Sequence, residues 1–437
     1  RLKVMGSSQS SAPTPAGNAE VKLDDINREI DVESWTKAIE YLQEGKYEDC
    51  LEKLNAASIS EELKACSWIS ENEISFLQGV ALRLRNARSL EEPRYETVEN
   101  RKELQRRQKE LKPDFKAHLK QLNNEILRTR IPRRSEGNSS IRLKNGRRLG
   151  YKMFGAPVIK DCPYEKLNHI FIFHGTPGSR LFCLPSWERI AVEKGIRFHV
   201  LERPGFGHSS PHPERTLASF SQDVLEYADA NNVSRFSIIG YSAGSPFAVM
   251  CAYHIPKTRL SSVCLCAAIY PAPNASKSMN LFNKLAWNVV LKSRFLTYAA
   301  VKQEGMQAFR SPAKKIAGNI MGQSSYDDIM LMRYPEIVGL FSESIREQYA
   351  DLKTGVTAEV EDYMLFRRAW NLDFKSKDEQ ELSSVHIISG SHDQGSTPEM
   401  AAYLHQNIPG STLDIKENCG HLVLFGFFRE VIAKITA

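Results

Sequence analysis

Three side chains in this 437-residue sequence have the types and surroundings needed for covalent chemistry at a carbonyl carbon: Ser242, Asp393 and His421. Ser242 lies in Gly240-Tyr241-Ser242-Ala243-Gly244, between Phe236-Ser237-Ile238-Ile239 and Ser245-Pro246-Phe247-Ala248-Val249-Met250. The first flank reads as a buried strand. The second reads as a helix, with Pro246 in the first turn, where a missing N–H costs little. G-x-S-x-G in that setting specifies a turn so tight that small residues must flank the serine, and its hydroxyl is expected to stand exposed above a sheet. A serine is a weak nucleophile until a base takes its proton and a third group orients the base. Val385-His386-Ile387-Ile388 reads as a strand, and Asp393 follows it in Ser389-Gly390-Ser391-His392-Asp393. A further strand pattern, Thr412-Leu413-Asp414-Ile415, runs into Asn418-Cys419-Gly420-His421, which places His421 on a loop before the last helix. His421 is therefore expected to take the Ser242 proton, and Asp393 to fix the imidazole tautomer and stabilise the imidazolium.

Such an attack leaves an oxyanion that needs donors. Phe171-Ile172-Phe173-His174-Gly175-Thr176-Pro177-Gly178 reads as a strand ending in His-Gly and then turning sharply. The backbone N–H groups of Thr176 and of Ala243, at a helix N-terminus, are the expected pair. His174 is expected to brace this loop rather than to serve as a second base.

From about residue 138 to 437 the chain resembles the α/β-hydrolase superfamily. The resemblance rests on the strand–elbow–helix around Ser242, the His174-Gly175-Thr176-Pro177-Gly178 loop and Glu202-Arg203-Pro204-Gly205-Phe206-Gly207-His208-Ser209. It also rests on Ile408-Pro409-Gly410-Ser411, on Gly420-His421-Leu422, and on a hairpin over 140–151 with Asn145-Gly146 at its turn, a two-residue turn signal. Glu202 stands where aspartate is more usual. The resemblance implies an α/β fold, a mostly parallel sheet flanked by helices, with the order Ser…Asp…His that this fold uses. It further implies a serine hydrolase of the esterase or proline iminopeptidase-like branch. A serine nucleophile argues against epoxide hydrolases and haloalkane dehalogenases, which use aspartate. Cleavage of a carboxylic ester or related acyl bond through an acyl-enzyme is the leading expectation. A proline iminopeptidase-like aminopeptidase, an acyltransferase and a hydrolase-fold receptor for a small ligand are the alternatives.

The elements that must position these residues can be placed along the chain. Residues 1–20, rich in Ser, Ala, Pro and Gly, are expected to be disordered. Residues 24–130 read as a helical N-terminal region. Ser34 to Leu54 has helical period with a break at Gly45-Lys46, and Leu111, Phe115, Leu119, Leu122 and Ile126 line one face of a later helix. The hydrolase region, 138–437, contains an insertion at about 271–381 after the sixth strand, expected to be a helical cap. Phe282, Trp287, Phe295, Met306, Phe309, Met330, Met332, Phe341 and Trp370 make it apolar, which suits a small apolar acyl substrate better than a charged one. Glu336, Glu343 and Glu347 are the candidates for holding a substrate amine, as an aminopeptidase would require.

Composition narrows the partners. Forty-two percent apolar and 25% charged residues are those of an ordinary globular chain. The eight cysteines are scattered without a C-x-x-C pair, so free thiols in a reducing, cytoplasmic setting are expected. Nothing calls for a cofactor or a metal. Between Arg128 and Lys152 nine basic residues face the single acid Glu136, a linker able to touch anionic membranes. Without interleaved aromatics it does not read as a nucleic-acid platform. Met5-Gly6-Ser7-Ser8-Gln9-Ser10 matches an N-myristoylation pattern, which would add peripheral membrane association if Met5 initiates the chain. The apolar stripe of the N-terminal helices must be buried on the hydrolase body, on a second copy or on another protein.

Overall fold

The computed structural model describes residues 140–158, 164–311, 335–368 and 382–436 continuously, most of 37–57, and single positions or short runs between these. The chain divides into two units, Arg1–Leu82 and Arg83–Ala437. In the first, helix α1 spans Tyr47–Ala57, and Ala38, Leu42, Cys50 and Leu54 are buried. Most of the remainder of 24–130, the pattern at Gly6, and the basic residues from Arg128 to Arg134 lie outside the described residues.

The second unit is built on one eight-stranded sheet of order β1-β2-β4-β3-β5-β6-β7-β8. Its strands are β1 (Ser140–Arg142), β2 (Arg148–Gly155), β3 (Asn168–Phe173), β4 (Ile196–Leu201), β5 (Phe236–Tyr241), β6 (Leu260–Cys266), β7 (Ser384–Gly390) and β8 (Thr412–Lys416). β1 and β2 are antiparallel, as are β2 and β4; every other pairing is parallel. A strand covered on both faces has no solvent side, which is why the central strands read as apolar runs rather than alternating ones. β4 and β5 are buried at every position.

The opening hairpin forms where the sequence places it, with a longer turn than Asn145-Gly146 alone implies. Leu143 N–H donates to the Arg147 carbonyl (2.8 Å) and Gly146 N–H to the Leu143 carbonyl (2.8 Å), leaving three residues in the loop. The Asn145 side chain explains the extra residue, since it accepts from Arg147 N–H (3.0 Å).

Helices cover both faces. On one face α2 (Pro185–Lys194) and α11 (Phe428–Thr436) pack with Ile170 and Ile172, and Trp187 stacks on Phe428 at 4.3 Å. On the other, α3 (Ser219–Ala230), α4 (Ser245–His254) and α9 (Pro398–Asn407) pack with Phe171 and Phe173. The short α10 (Val423–Gly426) precedes α11. Between β6 and β7 the insertion supplies α5 (Leu281–Asn288), α6 (Arg294–Arg310), α7 (Pro335–Gln348) and α8 (Leu352–Phe366). Among the described residues no helix is long and apolar enough to cross a membrane. All six described cysteines are free, and Cys264 and Cys266 are buried in β6 as their apolar run suggests.

Buried charge fixes the insertion to the segment that follows β4. Asp362 on α8 accepts from Arg203 Nε (2.8 Å) and Arg215 Nη2 (2.6 Å), and all three residues are buried. Breaking such an arrangement by removing one partner strands an uncompensated charge, at about 3–5 kcal/mol. Asp362→Ala is therefore expected to lower unfolding free energy by about that amount in urea titrations. A loss below about 1 kcal/mol, the range of an exposed pair, would show that this contact contributes little.

Candidate active site

The turn after β5 is sterically forced. Ser242 has φ of 51°, a left-handed conformation that costs a non-glycine residue energy and is held only by its surroundings. The chain can pass so close to its neighbours only with glycines beside it: a Cβ on Gly244 would collide with the Phe173 carbonyl, and one on Gly240 would lie 2.7 Å from the Ala248 Cβ. Ser242 is 5% exposed, so the hydroxyl is not open to solvent as the turn alone suggests. The His174-Gly175 loop lies against it, and His421 closes over its oxygen.

The three expected side chains meet. Ser242 Oγ lies 3.0 Å from His421 Nε2, and His421 Nδ1 lies 2.8 Å from Asp393 Oδ2. The second Asp393 oxygen accepts from Gly395 N–H (2.8 Å) and Ser396 N–H (2.9 Å), so the carboxylate is held at both ends. Since Asp393 presents an acceptor to Nδ1, that nitrogen carries the proton and Nε2 is left free to receive one. The loops bearing Asp393 and His421 are tied directly, through His392 N–H to the Cys419 carbonyl (2.8 Å) and Asn418 N–H to Ser391 Oγ (2.9 Å).

The loop carrying Thr176 is braced from beneath. Arg203 donates to the His174 carbonyl (2.5 Å) and to Thr176 Oγ1 (2.5 Å), and His174 Nδ1 lies 2.8 Å from the Gly175 carbonyl. Burial and the nearby Arg203 charge push His174 well below the ordinary histidine value, which suits a neutral brace. Gly178 N–H donates to Gln348 Oε1 (2.5 Å) and Ser179 N–H to Ser344 Oγ (2.6 Å), both on α7. Glu202 ties this loop to the turn after β4, accepting from His208 N–H (2.7 Å) and Arg180 N–H (3.1 Å). Burial, with Glu347 nearby, pushes Glu202 up to about 8.

Sequence reasoning missed Asp328. This buried residue of the insertion accepts from His421 N–H (2.9 Å) and Leu422 N–H (2.8 Å), one on each carboxylate oxygen. A Cβ on Gly420 would collide with that carboxylate, so the Gly-His pair makes room for it. The available signal is an acid opening the apolar stretch Ile329-Met330-Leu331-Met332, whose helical period says nothing of a distant partner. Tyr241 also reaches the loop, its hydroxyl donating to the His421 carbonyl (3.2 Å).

The fold agrees with the outcome of comparison with known proteins. A family model described as alpha/beta hydrolase fold matches residues 168–427, well over half of the chain. The chain belongs to the alpha/beta hydrolase fold family. Within that family it is similar to a protein of Wickerhamomyces anomalus named "Probable alcohol acetyltransferase", at 27% identity over 128 residues. That match covers 29% of this chain and 37% of the relative, so the chain spans little more than a third of that relative's length. Among solved structures it is similar to an esterase from Exiguobacterium antarcticum (15% identity, TM-score 0.47, 69% of this chain and 100% of the other). It is also similar to a thermophilic esterase from Thermogutta terrifontis (17% identity, TM-score 0.46, 68% and 96%).

The apolar residues expected to line the insertion divide. Phe341 and Trp370 are buried, whereas Phe282, Phe295 and Phe309 face solvent, and Met330 and Met332 lie outside the described residues. Outward residues cannot select a substrate over Ser242. Of the acids considered for amine binding, Glu347 accepts from Arg180 Nη2 (3.0 Å) and lies 3.3 Å from His208 Nε2.

Burial pulls the His421 pKa down, but the carboxylates of Asp393 and Asp328 outweigh it and hold His421 above the ordinary histidine value. The base must be neutral to accept a proton, so kcat/KM for a neutral ester is expected to rise with pH through a limb above about 6.5. Burial pushes Asp328 itself up to about 6. Asp328→Asn removes a negative charge that favours the imidazolium, so the limb should move to lower pH, with a reduced plateau from the loosened loop. A pH–kcat/KM profile checks this; an unmoved limb would mean that the Asp328 charge does not reach His421.

Proposed function

We propose that this chain is a serine hydrolase that cleaves a carboxylic ester, or a related acyl bond, through an acyl-enzyme on Ser242. The observation that carries the reading is the continuous Ser242–His421–Asp393 relay at 3.0 and 2.8 Å. Ser242 Oγ attacks the carbonyl carbon as its proton passes to His421 Nε2, and Asp393 stabilises the imidazolium so formed. The oxyanion is taken by the backbone N–H groups of Thr176 and Ala243, each worth about 2.7–4 kcal/mol of transition-state stabilisation. His421 then returns the proton to the leaving alcohol, the C–O bond breaks, and the acyl group remains on Ser242. A water deprotonated by His421 releases the acid and restores the serine.

Acyl transfer to an alcohol is the second reading, favoured by the partial similarity to the acetyltransferase-named protein of Wickerhamomyces anomalus. It uses the same acyl-enzyme with an alcohol in place of water. The aminopeptidase reading is weakened by Glu347, whose carboxylate is already engaged by Arg180.

Labelling with a fluorophosphonate probe, followed by turnover of p-nitrophenyl esters with and without added alcohol, tests these readings. Ser242→Ala is expected to abolish labelling and to cost on the order of 10⁶ in kcat. Asp393→Asn should keep the fold and cost about 10⁴ in kcat by imposing the wrong tautomer. Undiminished turnover by Ser242→Ala would overturn the assignment, and ester rather than acid as the main product in added alcohol would promote transfer over hydrolysis.

A further inference from the structure

Helix α5 leaves an apolar stripe outside the protein. Its inward side is held by Trp287, half-buried against Met279 and Met400, and by polar contacts: Asn280, its cap, donates to Gln394 Oε1 (2.5 Å), and Asn283 donates to the Gln394 carbonyl (2.9 Å). The carbonyl of Trp287 accepts from Arg367 Nη1 (2.7 Å). Its apolar side faces out, with Leu281 84%, Phe282 67%, Leu285 55% and Val289 48% exposed. At about 100° per residue these four positions fall within a single arc of roughly 100°. Phe295, the second residue of helix α6, is 78% exposed. Single exposed apolar residues are ordinary, but four on one stripe mark a surface that is covered in use.

Charge decides what covers it. From Tyr270 to Gln303 the sequence holds five basic residues, Lys277, Lys284, Lys292, Arg294 and Lys302, and no acidic one. The four lysines are exposed, while Arg294 pairs with Glu361. A second copy docked on the same face would set these positive charges against each other, and lysine is depleted in protein interfaces. Exposed phenylalanine and leucine bordered by lysine is the composition of a helix lying at a lipid–water interface.

We propose that α5 and the start of α6 dock on an anionic lipid bilayer, with Leu281, Phe282, Leu285 and Phe295 entering the headgroup–acyl boundary and the lysines meeting lipid phosphates. Gln394, to which α5 is bonded, follows Asp393 in sequence, so docking would set the reactive edge of the sheet beside the membrane. An ester partitioned into the bilayer is then within reach, which extends the acyl-hydrolase reading to lipid-dissolved substrates. The docking itself does not depend on turnover.

The test therefore uses full-length Ser242→Ala protein, co-sedimented with vesicles of phosphatidylcholine mixed with phosphatidylserine and with phosphatidylcholine alone. Binding is expected to the mixed vesicles and to weaken with salt. Leu281→Ser/Phe282→Ser/Leu285→Ser should weaken it about tenfold or more, since the apolar surface that leaves water on docking is removed. Lys284→Gln/Lys292→Gln should weaken it by about fivefold per charge on anionic vesicles only. As a measure independent of the triple variant's folding, Phe282→Trp should gain blue-shifted emission on adding mixed vesicles. Failure of the parent to bind, equal binding by the triple variant, or unshifted Trp emission would overturn the proposal. So would a dimeric parent made monomeric by the triple variant, which would identify a second copy as the occupant.

Discussion

The sharp turn at Ser242 is the constraint to which the rest of the reactive edge conforms. A left-handed serine between two glycines leaves its hydroxyl at the end of β5, in line with the loops that follow β3, β7 and β8. In a parallel sheet those loops all emerge on one edge, so the order of strands β3-β5-β6-β7-β8 brings the His174–Thr176 loop, Ser242, Asp393 and His421 together from four distant parts of the chain. The glycines are there because the backbone of β3 and the start of α4 approach too closely for a side chain. Strain at one residue is thus maintained by packing on both sides of it.

The insertion is bonded to each loop of the candidate site: to the His421 loop by Asp328, to the Asp393 loop by Asn280 and Asn283, and to the His174–Ser179 loop by Gln348 and Ser344. Asp362 reaches the same loop indirectly through Arg203, which donates to the His174 carbonyl and to Thr176. Gln348 is itself fixed by the buried Glu359, which also accepts from the Tyr349 hydroxyl. Burying these polar groups would be costly without partners, and pairing them across the boundary couples the placement of the insertion to the geometry of the site. A change in how the insertion sits would therefore reach His421, Asp393 and the His174–Ser179 loop together.

Much of this was legible in the sequence, because the elements concerned have local causes. Apolar runs identified β3, β5, β6 and β7, Asn145-Gly146 located the opening hairpin, and the small residues around Ser242 declared the turn before any contact was known. The order Ser242, Asp393, His421 followed from strands whose ends could be read one at a time. Asp328 escaped because an acid near an apolar helical stretch is locally unremarkable; only a partner 93 residues away gives it meaning. Phe282 and Phe295 escaped in the other direction, since aromatic residues in an insertion over a serine suggest a lining and their outward orientation has no local signature.

The sequence by itself determined the tight turn at Ser242 and marked Ser242, Asp393 and His421, in that chain order, as the candidate residues, because steric and hydrogen-bonding demands over a few residues leave little choice there. Tertiary structure decided which buried carboxylates hold the loops, that Ser242 is covered rather than open, and that Leu281, Phe282 and Leu285 of α5 face away from the protein. These depend on how a helical insertion is rotated and seated on the sheet. That seating is set by long-range pairings such as Asn283 with Gln394 and Arg203 with Asp362, which no local pattern encodes.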